Sequence, residues 1–165
     1  MLCVYLQRLL YSCTIPPPSD DVFDGQAICE IYMPRDPRHF FGRTVSHMGI
    51  DEYVRRIISY SGINDRIIGC ALVYIIKLAK TVCICDRSVH RIVAVAILLA
   101  KKYNQDKAVS MTRTSRITGM PIGELTRLEL CALQTLEWEL FISLELFNVT
   151  MCEAMTIEDV RSYDD

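Results

Sequence analysis

Three groups of side chains in this sequence have types and spacings that could do chemistry. Cys83 and Cys85 lie two residues apart with His90 close behind, a start toward a metal site. Zinc takes four protein donors, or three plus water. A fourth donor is missing and the surroundings are apolar, so no metal and no cofactor is expected. A second group, Arg35 to Arg43 (RDPRHFFGR), sets Arg35, Arg38, His39 and Arg43 around Phe40 and Phe41. The aromatics read as anchors that pin this segment onto a core; a partner-docking motif is the other reading. The third is a single residue, Glu129. Winding residues 121–140 at about 100° per residue with Leu125 at 0° puts Leu128, Ala132, Leu133, Leu136 and Leu140 between roughly 300° and 80°. Glu129 falls at about 40°, inside that apolar stripe. A carboxylate there is costly unless it is paired or hydrogen-bonded, and it is too far along to reach the free amides of a first turn. Either a lysine on another helix pairs with it, or the stripe continues onto an interface on which Glu129 is a polar anchor. Lys102, just past a long apolar run and next to Tyr103, is the matching oddity; dipole capping and snorkelling are its plainer account. No glycine-rich phosphate loop, nucleophile elbow or acid–base constellation appears, so no enzyme is expected.

These residues must be carried by helices. Ile92 to Ala100 are nine consecutive residues without a polar side chain. A helix apolar on all sides has to be wrapped by others, and nine residues are far fewer than the ~20 that span a bilayer. Arg87–Tyr103 therefore reads as a buried central helix, with Asp86 or Ser88 as cap and Lys101 and Lys102 at the negative end of its dipole. Before it, Ile50, Tyr53, Val54, Ile57 and Ile58 mark a helix closed by Ser61–Gly62. Asn64 or Asp65 caps the next, which runs to about Lys80 with Ile67–Ile76 uncharged. After the polar break NQDK, Ser110 caps a short helix to about Ile117, Gly119–Pro121 ends it, and a strong helix runs from Pro121 to about Trp138. Ser143 caps a last short helix, Leu144–Met155. Residues 2–11 carry a weak amphipathic pattern, Pro16–Pro18 break it, and residues 14–48 show no period. The expected organisation is an N-terminal arm over 1–47, an all-α bundle over 48–155 with five helices up to residue 140, and a polar tail over 156–165.

Composition narrows the function. The chain has 165 residues, is 51% hydrophobic, and has a net charge of −2, which leaves no basic footprint for nucleic acid. Eight cysteines are scattered, several within apolar stretches, as in proteins of a reducing compartment. The N-terminus lacks the basic-then-apolar order of a secretory signal. Cytosol or nucleus is the expected location, with no membrane contact.

Several segments, in order, resemble the cyclin box. SVHRI (Ser88–Ile92) and LLAKKY (Leu98–Tyr103) are similar to the start and end of its third helix. RLELCALQTLEWEL (Arg127–Leu140) is similar to its fifth. IDEYVRRI (Ile50–Ile57) and ALVYII (Ala71–Ile76) look closest to the single-box P/U-type cyclins, the phosphate-pathway group. The resemblance implies a five-helix box around the buried third helix, and a non-catalytic subunit that binds and activates a cyclin-dependent protein kinase. It pairs Lys102 with Glu129 and places Leu99, Tyr103, Leu133, Trp138 and Leu140 in or beside a cleft for the kinase's regulatory helix. Two positions depart from the pattern. Ile76–Lys77 stands where Asp–Arg is common on the second helix, and Thr114 where an aromatic is frequent on the fourth. The alternative within the same fold is a cyclin-like adaptor in transcription, which would need a basic surface.

Overall fold

A computed structural model describes residues 37–161, with side chains placed for residues 38–155. The patterns at residues 2–11 and 16–18, Arg35, and the end of the tail lie outside the described residues. Those described form a 3₁₀ turn, Pro37–Phe40, and six α-helices without a strand: α1 (Ile50–Ser61), α2 (Asp65–Leu78), α3 (Val89–Asn104), α4 (Met111–Thr118), α5 (Ile122–Thr135) and α6 (Leu144–Arg161). The all-α expectation is met.

Local chemistry explains most boundaries. Asn64 caps α2 by accepting a hydrogen bond from the Ile67 N–H at 3.0 Å, and Ser110 does the same for α4 from Arg113. Ser143 accepts from the Leu146 N–H at the start of α6. Gly62 and Gly119 end α1 and α4 at φ 59° and 73°, a backbone region that glycine enters without a Cβ penalty. Three boundaries differ from the periodicity. Ser88 stands at the N-cap of α3, but its hydroxyl does not cap. It donates to the Cys83 carbonyl at 2.7 Å and accepts from the Cys85 N–H at 2.9 Å, tying the Cys83–Asp86 link together instead. α5 stops at Thr135, three residues short of Trp138. α6 continues to Arg161, past the Met155 that the polar tail suggested.

α3 is the hub. Every residue from Ile92 to Ala100 is buried, and α3 packs against α1, α2 and α5. α6 lies on α2, α4 bridges α1 and α5, and the 3₁₀ turn packs on α5 and α3. Phe40 and Phe41 are buried in the common core, so both act as anchors. Behind them, the Gly42 N–H donates to the Arg87 carbonyl at 2.7 Å, and Arg87 Nε donates back to the Gly42 carbonyl at 3.0 Å. A Cβ on Gly42 would strike the Arg91 guanidinium. Among the described residues no helix is long and apolar enough to cross a membrane.

Candidate functional site

α3 and α5 are joined by two ion pairs. Near the start of both helices, Arg91 Nε donates to Glu124 Oε1 at 2.7 Å. Near the end of α3, Lys102 Nζ donates to both carboxylate oxygens of Glu129, each at 2.7 Å. The two partners of the second pair are 27 residues apart in sequence. Glu129 keeps 15% of its side chain exposed and Lys102 keeps 37%. The carboxylate thus sits in the apolar stripe, as winding the helix placed it, and a lysine from another helix satisfies it. The pair is at the surface, so its contribution to the stability of the free chain is no more than about 1 kcal/mol.

Apolar side chains lie exposed on the flanking segments. Tyr103, next to Lys102, is 51% exposed and Trp138 is 62% exposed. Leu133 and Leu140 are half-buried and pack on the core. Leu99 is a core residue at 2% exposure. It stands one turn before Tyr103 on the same face of α3, where the core still covers the helix, and takes no direct part in the surface. Phe141, also exposed, was not singled out in the sequence; it follows the helix-period stretch and carried no polar oddity to mark it.

The segment that displays Trp138 has an unusual backbone. Leu136 ends α5, the Glu137 N–H donates to the Gln134 carbonyl at 3.1 Å, and the Trp138 N–H reaches back to Leu133 at 2.8 Å. This is the bonding of a Schellman motif, which ordinarily has glycine in the left-handed position. Here two bulky residues hold it, Glu137 at φ 55° and Trp138 at φ 63°. Each costs about 1–2 kcal/mol in that region. Helix α2 opposes the strain. The Tyr74 hydroxyl donates to the Leu140 carbonyl at 2.7 Å, and Lys77 Nζ donates to the Glu139 carbonyl at 3.3 Å. Burial, and secondarily Cys70 and Tyr103 nearby, hold the Tyr74 phenol protonated well above its ordinary range. The hydroxyl therefore remains a donor at any physiological pH. Sequence reasoning missed both ties, although a tyrosine within the uncharged run Ile67–Ile76 is a signal, since a buried hydroxyl needs a partner.

The sequence profile of the cyclin family matches residues 19–140, about three-quarters of the chain. The chain belongs to the cyclin family. Its relatives include Cyclin-P3-1 of Oryza sativa subsp. japonica, 29% identical over 90% of this chain and 59% of that protein. Cyclin-U3-1 of Arabidopsis thaliana is 30% identical over 69% of this chain and 52% of its own length. PHO85 cyclin-like protein psl1 of Schizosaccharomyces pombe is 28% identical over 64% and 45%. The chain thus resembles P-type, U-type and PHO85 cyclins, and spans about half the length of these relatives. In the Cys83, Cys85 and His90 group, the Cys83 carbonyl and the Cys85 N–H are bonded by the Ser88 hydroxyl. His90 Nε2 donates to the Met48 carbonyl at 2.8 Å, and no group of three or more His, Cys, Asp or Glu among the described residues could hold a metal ion. The departure at Lys77 also has a use here, since that lysine reaches the turn after α5.

Proposed function

We propose that this cyclin is a non-catalytic regulatory subunit that binds and activates a cyclin-dependent protein kinase through the surface between α3 and α5. The kinase element held there is its mobile regulatory helix, which carries the glutamate that must pair with the ATP-binding lysine. Holding that helix in one of its two positions selects the active state by differential binding. Tyr103, Trp138, Leu133 and Leu140 supply apolar contact, Leu99 supports them from below, and Lys102 and Glu129 orient each other to offer charge-assisted bonds to the partner.

The observation that carries this reading is the doubly bonded Lys102–Glu129 pair with exposed Tyr103 adjoining Lys102 and exposed Trp138 just past the end of α5. Structural need does not account for two large exposed aromatics on the segments that flank a satisfied charge pair, whereas an interface with aromatic anchors and a polar anchor does. The relatives named as PHO85 cyclins point the same way. A transcription adaptor lacks comparable support, because the net charge of −2 gives no nucleic-acid surface.

The test is capture of a purified cyclin-dependent kinase by the wild-type chain and by Lys102→Ala/Glu129→Ala. The free variant is expected to fold, given how little the exposed pair adds to stability. Glu129→Ala alone, which leaves Lys102 unpaired under the partner, is expected to weaken binding by about 2–5 kcal/mol. Undiminished kinase affinity in a folded double variant would refute the assignment.

A further inference from the structure

The strain at Glu137 and Trp138 needs something to maintain it. The Trp138 side chain is mostly exposed, so its own packing does not fix it, and the backbone of the turn sets where it points. Left alone, two consecutive non-glycine residues would relax out of the left-handed region. The two side-chain ties that oppose this come from residues three apart on α2, hence from one face of that helix. Both end on carbonyls immediately after the strained pair, at Glu139 and Leu140. The Tyr74 tie is the stronger, being the shorter of the two and made by a residue with no exposed surface.

We propose that Tyr74 and Lys77 are positioning residues for the α3–α5 surface: from α2 they lock the Leu136–Leu140 turn in its left-handed form and so present Trp138 to a partner. The partner's identity rests on the kinase reading above; the locking of the turn does not. Trp138 is the chain's single tryptophan, so its fluorescence anisotropy reports the turn directly in the free 165-residue chain. Tyr74→Phe keeps the ring and removes only the donor. The expected result is native helix content by circular dichroism with a lower Trp138 anisotropy, and a smaller decrease in the same direction for Lys77→Met. Adding Glu137→Gly to Tyr74→Phe is expected to restore the anisotropy, because glycine adopts the left-handed conformation unstrained. Kinase affinity should fall about two- to tenfold in Tyr74→Phe, the value of one hydrogen bond, and recover in the double variant. A lower melting temperature with unchanged anisotropy would make Tyr74 merely structural and overturn the proposal. If the wild type captures no kinase but the anisotropy responds and is rescued, the locked turn stands and the kinase reading fails.

Discussion

Glu129 was conspicuous because one ionised group in an apolar stripe has few tolerable outcomes, and pairing with Lys102 is one of them. His90 is a second polar group at the same scale, with a different consequence. Its Nε2–H is committed to Met48, its ring meets Tyr53 edge-on at 4.9 Å, and its buried Nδ1 has no partner among the described residues. Protonation would bury an unsatisfied N–H there. Burial accordingly lowers the His90 pKa below 6.5, outweighing the bond to the Met48 carbonyl that raises it, with smaller opposed effects from Arg91 and Asp86. As pH falls through the ordinary histidine range, the unfolded chain takes up a proton that the fold resists, so stability declines with acidity. Thermal melts between about pH 7 and pH 5 should show a steeper loss for wild type than for His90→Gln. Parallel profiles would mean that another group carries the acid sensitivity.

Two helices meeting at a glycine define the element scale. α6 lies on α2 through half-buried Phe147 and Met151, and through buried Thr150 and Ala154. At Gly69 the approach is close: a Cβ there would lie 2.5 Å from Phe147 Cε2 and 2.9 Å from Met151 Sδ. Gly69→Ala therefore has two opposed effects. Better helix propensity contributes about 0.5–1 kcal/mol, while overpacking costs about 1–3 kcal/mol. Two side chains on one helix face must yield together, so a net loss of about 0.5–2 kcal/mol is expected by denaturant titration. A Phe147→Leu background should recover part of it; additive losses would show that the close approach is not the cause. The end of α5 belongs to the same scale. Its apolar period runs on through Leu136 and Leu140, so the sequence pattern continues to Trp138 although the helix stops at Thr135. The helix stops in the left-handed turn at Glu137 and Trp138, to which α2 is tied through Leu140 and Glu139, and a pattern within one segment carries no record of a neighbouring helix.

For the whole molecule, the core is continuous from Phe40 to Ala154 around α3. Phe40 has no exposed surface and joins the segment before α1 to α3 and α5. Phe40→Ala should cost about 3–5 kcal/mol, lowering the melting temperature by about 6–20 °C for a chain of this size. A drop of only a degree or two would reduce this segment to a surface strap. Loosening the junction of α3 and α5 would also disturb the Lys102–Glu129 surface, so kinase capture should fall with it.

The sequence by itself determined the helical class, the number and order of the helices among the described residues, the buried centre, and the misfit at Glu129. Each follows from local forces: apolar periodicity, a cap such as Asn64, or a left-handed glycine such as Gly62. The family resemblance named Lys102 as Glu129's partner, and the structure brings the two together; only the tertiary structure decided that Arg91 bonds Glu124. It likewise decided that Leu99 lies beneath the surface rather than on it, and that Tyr74 and Lys77 hold a strained turn. Those outcomes depend on distances between segments dozens of residues apart, which are set by how whole helices pack and are written in no single window of residues.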